Sequence, residues 1–344
     1  MLKVLAPLIL LIAFVIYVVL ADGEVESIDD YPLWIIDSAG NHTEQTSGIY
    51  YLGKLDDEKI FLTCDDIGKI NKIIINESLT PPTIKIIEIG VSNEVQKVFK
   101  NFRKEDFEDI SYDKENNKVY LSVEGYAFDK KNPMEFKKHE GIYELSCNND
   151  VLHFDSLLAI TKLDLPENIF EYTQDNVGME GLTLTDNYFF FGLENCRNNA
   201  GNFTDSTFLY IRNRKTNDLK TIPTRELLIS SICGLYAISD YELFGIDRNA
   251  RSMFRILFNQ DFTVEDVDLL QIDLSIPNHP DINQILGVAP ESITLDNENN
   301  IYVAVDPWKD YYKPDSQDNK KLNDKEREYF KNAVPIIYKF ENPF

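Results

Sequence analysis

One phrase recurs five times along the chain: a small or acidic pair, an aliphatic strand, a short polar turn, a second strand and then an acid. Its copies run from Ser47-Gly48-Ile49 to Asp65, from Glu108-Asp109-Ile110 to Glu124 and from Glu180-Gly181-Leu182 to Glu194, then from Cys233-Gly234-Leu235 to Asp247 and from Glu291-Ser292-Ile293 to Asp306. A repeat of this kind decides the fold, because a single unit cannot bury its own apolar face and must stack on its neighbours. The turns inside the copies, such as Asp56-Asp57-Glu58, Asp186-Asn187 and Asp240-Tyr241, separate apolar runs and read as hairpins. Two further strand-like runs follow the hairpin, Phe208-Leu209-Tyr210-Ile211 and Leu219-Lys220-Thr221-Ile222-Pro223 in the third copy. Four antiparallel strands per unit predict an all-β fold, a β-propeller of five four-stranded blades. The last copy supplies only one more strand, Ile336-Ile337-Tyr338-Lys339-Phe340, while Leu33-Trp34-Ile35-Ile36 near the other end is spare. The spare strand is expected to complete the last blade and close the ring, leaving no open edge. Six blades are possible only if strands lie hidden in longer intervals such as 164–177, and none is evident there.

Ahead of the repeats, Lys3 precedes an apolar run over 4–21, after which Asp22, Glu24 and Glu26 turn the chain polar. This is a signal peptide cleaved after Ala21 or, at about 18 apolar residues, a membrane anchor. Either way the single propeller domain over 22–344 is expected to be secreted or membrane-anchored, touching a membrane only through that segment. With 344 residues, 43% of them hydrophobic, the chain can bury a large core. Its 34 basic and 58 acidic side chains give a net charge of −24. Such a chain repels phosphate backbones, which argues against nucleic acid as a partner, and favours cations.

The alternation of strands assigns faces. In each blade the first strand is innermost and the second returns beside it, so the start of the first and the end of the second share one face. That places Ser47, Glu108, Glu180, Cys233 and Glu291 in an inner ring, with Asp65, Glu124, Glu194, Asp247 and Asp306 just outside it. The long loops over 125–140, 195–206, 273–289 and 307–334 gather on the same face, where binding normally sits on a rigid scaffold. Three glutamates and a serine converging on an axis call for a hard cation with oxygen ligands, and several loosely spaced carboxylates favour Ca²⁺. The expected metal ligands are therefore Ser47, Glu108, Glu180 and Glu291, although acids capping strands would look the same. Asp65, Glu124, Glu194 and Asp306 are the catalytic candidates. Basic residues on the long loops, Arg197 and Arg248 among them, offer charge for a small anionic substrate or a surface ligand.

Other chemistries lack their motifs. There is no Gly-x-Ser-x-Gly elbow, and the four histidines (His42, His139, His153 and His279) form no His-Glu-x-x-His or His-x-His pair. The four cysteines form no Cys-x-x-Cys. Cys196 and Cys233 are expected close together on the loop-rich face of adjacent blades, close enough for a disulfide, with Cys147 unpaired. Residues 323–332 read as a short helix with an Asn cap, and the charged segment 307–334 that contains them is expected to fold over the carboxylate face as a lid.

These phrases carry a resemblance. Asp106-Phe107-Glu108-Asp109-Ile110 with Ser122-Val123-Glu124, and Met179-Glu180-Gly181-Leu182 with Gly192-Leu193-Glu194, resemble the propeller family labelled "esterase-like activity of phytase" and the related SdiA-regulated propellers. Asp247-Arg248 sits where that family tends to have Glu-Arg, and Glu291-Ser292-Ile293 where it has Glu-Gly-Ile. More distantly, the inner ring is similar to that of calcium-activated nucleotidases (apyrases), five-bladed propellers with a central Ca²⁺ and the order Ser, Glu, Glu, Ser, Glu. Asp65-Asp66-Ile67-Gly68 is similar to their Asp-Asp-Arg-Thr-Gly stretch but lacks its Arg and Thr. The resemblance implies a Ca²⁺-dependent phosphoester hydrolase of the phytase-like kind. The alternative is a non-catalytic cell-surface propeller that binds a protein or glycan partner.

Overall fold

The computed structural model describes residues 24–127, 134–197, 202–283, 285, 287–308 and 311–344. The leader over 1–21 lies outside the described residues. Two short strands open the chain, β1 (Glu24–Val25) and β2 (Leu33–Trp34). Blade 1 is β3 (Thr46–Leu55), β4 (Glu58–Asp65), β5 (Ile70–Asn76) and β6 (Thr83–Glu88). After β7 (Gly90–Val91) and helix α1 (Asn93–Phe99), blade 2 is β8 (Phe107–Asp113), β9 (Lys118–Val123), β10 (Gly141–Cys147) and β11 (Ser156–Lys162). Blade 3 is β12 (Met179–Leu184), β13 (Tyr188–Leu193), β14 (Phe208–Asn213) and β15 (Leu219–Pro223). Blade 4 is β16 (Gly234–Ser239), β17 (Glu242–Asp247), β18 (Ser252–Phe258) and β19 (Val264–Ile272). Blade 5 is β20 (Val288–Leu295), β21 (Asn300–Pro307) and, after helix α2 (Asp324–Lys331), β22 (Ile336–Glu341), with β2 as its outermost strand.

The five sheets close into a ring. The innermost strands touch in cyclic order: β3 with β8, β8 with β12, β12 with β16, β16 with β20 and β20 with β3. Five blades are therefore the count, and the interval 164–177 holds only a 3₁₀ turn (Glu167–Glu171) and an isolated bridge between Gln174 and Val177. β2 pairs antiparallel with β22, Leu33 opposite Ile337 and Trp34 opposite Ile336, so the last blade draws on both ends of the chain as expected. β1 and β7 add a parallel fifth strand to the outer edges of blades 4 and 2.

Each blade is apolar on both faces, and the core is divided accordingly. One cluster of buried side chains fills each of the five blade interfaces, for example Leu62, Phe107, Tyr112 and Leu121 between blades 1 and 2, and Tyr51, Phe61 and Tyr302 between blades 1 and 5. Gly48 and Gly234 are required where neighbouring innermost strands meet. A Cβ at Gly48 would stand 2.7 Å from the amide nitrogen of Ile110, and one at Gly234 would stand 2.6 Å from the carbonyl oxygen of Glu291. At the axis, the buried Asp109 carboxylate accepts from the backbone N–H groups of Leu182 (2.7 Å) and Leu235 (3.3 Å), tying blade 2 to blades 3 and 4. Among the described residues no helix is long and apolar enough to cross a membrane.

Two expectations need correction. The Cys196–Cys233 disulfide is not formed, and all four cysteines are free. Each sulfur is seated on a hydroxyl of its own blade, Cys196 Sγ 3.7 Å from Thr207 Oγ1 and Cys233 Sγ 3.2 Å from Ser231 Oγ. The segment 307–334 is only partly a cover for the carboxylates. Trp308 and Tyr311 stand at the cavity rim, but Tyr312, Leu322, Phe330 and Val334 are buried in the interface of blades 4 and 5. Phe330 of α2 packs edge-on against Trp34 of the closing strand, with ring centroids 5.2 Å apart. Apolar side chains spaced through an otherwise charged stretch draw it into the core rather than leaving it free over the face.

Candidate functional site: a carboxylate cavity at the blade axis

The inner ring is built by a repeated backbone device. In blades 1, 2, 3 and 5 the pairing of the first two strands slips by one residue where the ring residue stands. Thr46 opposes Asp65 while Gly48 opposes Cys64, leaving Ser47 as the extra residue. The same slip leaves Glu108 between Phe107 and Asp109, and Glu291 between Pro290 and Ser292. In blade 3 it falls at Glu180-Gly181, between Met179 and Leu182. A β-bulge bends the strand and re-aims one side chain out of the alternating pleat. Here it places Ser47, Glu108, Glu180 and Glu291 in one cavity of ≈ 400 Å³. Blade 4 has no such slip at this position, and Cys233 is buried just ahead of β16.

All four expected ligands line this cavity, as do Glu124, Glu194 and Asp306 from the second ring and Arg248. Asp65 does not. It is buried at the end of β4 and accepts from the Glu44 amide at 3.0 Å, while its neighbour Asp66 takes the place in the cavity. Asp247 is likewise spent on its own loop, accepting from the amides of Ser230 (2.6 Å) and Ala250 (3.0 Å). Arg197 is exposed, bridges to Phe203 with its guanidinium over that ring, and is not part of the cavity wall.

The structure adds residues that the repeat did not single out. Asp106 is 1% exposed and joins Glu108 and Glu124 in a triad whose ligand oxygens all lie within 4.8 Å of one another. Glu124, Glu180 and Glu194 form a second triad by the same measure. Lys104 pairs with Asp106 at 2.5 Å and Asp66 at 3.1 Å. Gln45, Tyr126, Asn176, Trp308 and Tyr311 complete the wall. Proximity in sequence carries the signal for part of this set. Lys104 and Asp106 precede β8 within four residues of Glu108, so the segment that leads into and opens that strand carries three of the charged groups of the wall.

Arg248 holds the opposite side. Its guanidinium pairs with Glu194 and with Glu291, and lies over the Trp308 ring, 5.6 Å from its centroid. Burial alone would lower its pKa, but the carboxylates of Glu180 and Glu291 outweigh that and hold it above the ordinary guanidinium range. The acids respond in the other direction. Burial, reinforced by neighbouring carboxylates, pushes Glu108, Glu124 and Asp306 well above the usual carboxylate range. Burial also lifts Glu180 to about 8, with Arg248 opposing the rise, and lifts Asp106 to about 7, with Lys104 opposing it. Glu124 Oε1 and Asp306 Oδ1 are buried with no hydrogen-bond donor.

The donor set fits a hard divalent cation. Its candidate ligands are carboxylate oxygens, and the nearby Cys233 thiol is kept protonated by burial and by Glu180. Three carboxylate oxygens gathered within 4.8 Å of one another can share one such ion, and Ca²⁺ accepts the irregular geometry that carboxylates from strand ends offer.

No protein-family model matches the chain, and no curated protein matches it by sequence. Among solved structures it is similar to a luciferin-regenerating enzyme, at 12% identity over 80% of this chain and 73% of that one, with a TM-score of 0.43. It is also similar to the aldose sugar dehydrogenase of Streptomyces coelicolor in its PQQ-bound form, at 8% identity over 93% and 98%, TM-score 0.43. A streptogramin B lyase is similar at 11% identity over 90% and 97%, TM-score 0.36. By its own sheets and their order, the chain is a five-bladed β-propeller with an acidic cavity at its axis.

Proposed function

We propose that the chain is a Ca²⁺-binding propeller that hydrolyses a small phosphoester outside the cytoplasm. The observation that carries this reading is the meeting of Asp106, Glu108 and Glu124, from one blade, in a triad spanning no more than 4.8 Å with one Glu124 oxygen unpartnered. Those three side chains would hold the cation, and Ser47 adds a neutral oxygen to the same cavity. A bound divalent cation supplies Lewis-acid polarisation of a phosphoryl oxygen. Arg248 and Lys104 line the same cavity, and their charge would draw in the substrate's remaining anionic oxygens. Asp306, 6% exposed with an unpartnered oxygen, would take a proton from an attacking water. A cavity of ≈ 400 Å³ is the size of a small-ligand site. The likeness of the Glu108 and Glu180 phrases to phytase-like propellers supports the same chemistry, and the apolar run over 4–21 supports the location.

A second reading, binding without turnover, is favoured by the exposed aromatic rings of Trp308 and Tyr311 at the rim, which suit stacking against a glycan. Phosphate release from a panel of phosphomonoesters, with Ca²⁺ and with EDTA, separates the two. Ca²⁺-dependent release that is lost in Asp306→Asn supports hydrolysis. Ca²⁺ binding without release from any ester supports the second reading.

A further inference from the structure

We propose that the cavity binds two divalent cations, bridged by Glu124, with the second held by Glu124, Glu180 and Glu194. The proposal deepens the cation reading above and rests on it. Glu124 is the one side chain common to both triads, and each triad keeps its oxygens within 4.8 Å. It is 4% exposed, lines the cavity and carries an oxygen that no donor reaches, so one carboxylate has the capacity to serve both sites.

Charge points the same way. Eight carboxylates line the cavity: Asp66, Asp106, Glu108, Glu124, Glu180, Glu194, Glu291 and Asp306, against Lys104 and Arg248 as the only basic groups among its described lining residues. Fully ionised, they leave a formal charge of −6. One divalent cation leaves −4 on a wall whose carboxylates are mostly buried, and two leave −2. Lys104 is committed to Asp66 and Asp106, and Arg248 to Glu194 and Glu291. Glu124 and Glu180 form no salt bridge with either basic group, and only the longer-range charge of Arg248 reaches Glu180. A second cation there competes with Arg248 for Glu194. When it binds, Arg248 keeps Glu291 and its other nitrogens turn free beneath Trp308, giving an anion a guanidinium beside two metal ions.

The test is Ca²⁺ titration calorimetry on the metal-stripped, folded chain, with crystals of the Ca²⁺-loaded protein measured for anomalous scattering. Two Ca²⁺ per chain, falling to one in Glu194→Gln and staying at two in Glu144→Gln, is the expected result. Glu144→Gln removes the same charge from β10, away from the axis, so it separates loss of a ligand from loss of net charge. Two anomalous peaks flanking Glu124 would support the pair even if Glu194→Gln does not fold. A single Ca²⁺ in the wild type, or a stoichiometry unchanged by Glu194→Gln, overturns the pair and leaves the single-cation function standing. No Ca²⁺ at all overturns both.

Discussion

Arg248 Nη1 lies 2.5 Å from Glu291 Oε1 across the boundary between blades 4 and 5, so the cavity contains a built-in cation on one side. The pair is nearly dry, with side chains 13% and 5% exposed. Removing one partner of a buried ion pair strands the other, at a cost of about 3–5 kcal/mol. Arg248→Gln should therefore lower unfolding stability by roughly that amount in EDTA. Because the freed carboxylates then attract cations, Ca²⁺ should recover more stability in the variant than in the wild type. Chemical denaturation with and without Ca²⁺ measures both.

Glu180 and Asp106 give the cation-free protein a pH dependence whose sign is fixed. Their folded pKa values, about 8 and about 7, stand above the ordinary carboxylate range, so the folded chain holds protons that the unfolded chain releases. Their contribution is complete below about pH 4 and is lost as pH rises through 7 and 8. In EDTA the melting temperature should fall between pH 5 and pH 8.5. In saturating Ca²⁺, which stabilises the ionised forms, the fall should shrink or reverse. A flat profile in EDTA would mean that these carboxyls are not held protonated by the fold.

Ligand binding to the folded state raises the melting temperature by mass action. Glu180→Gln should weaken the Ca²⁺-induced rise measured by scanning calorimetry. The same change at Glu144 should leave it intact, because Glu144 lies on β10, away from the axis, bonded to Tyr120 (2.8 Å) and Lys118 (3.2 Å). Equal weakening by both variants would detach the response from the cavity.

Phe330 tests the reassigned segment. Phe330→Ala removes a buried ring from contact with Trp34 and Tyr312 and should cost about 3–5 kcal/mol. A true lid residue would instead change ligand affinity with little loss in denaturant midpoint, so the two measurements together decide its role.

Much of this was legible in the repeat, and the parts that were not have a common physical cause. Apolar runs and turn residues reveal β12 and β13 because hairpin pairing is local. The bulge at Glu108 is one residue long and leaves no mark in composition. Its effect is nevertheless large, since it decides whether an acid faces the axis or the neighbouring blade. Asp65 and Asp66 show the same limit from the other side. Adjacent residues at a strand end face opposite ways, and only the three-dimensional turn to Lys104 selects Asp66. Arg248 was readable as a loop cation near an acid, but its partners come from two other blades, Glu194 in one and Glu291 in the other, and sequence distance hides both. The Cys196–Cys233 expectation failed for a related reason: being on one face of adjacent blades does not aim two sulfurs at each other.

The pairing of β2 with β22 also sets when the cavity can form. Ser27 Oγ donates to Lys339 O across 312 residues of sequence, so the ring closes only once β22 has been made. Until then β2 has no partner, blade 5 is incomplete, and Glu291 and Asp306 have no fixed place opposite Glu108 and Glu124. A nascent or truncated chain therefore does not carry a weaker version of the cavity. It carries none, and the acids that the finished ring gathers remain dispersed in water, where they stay ionised and do not repel one another at close range.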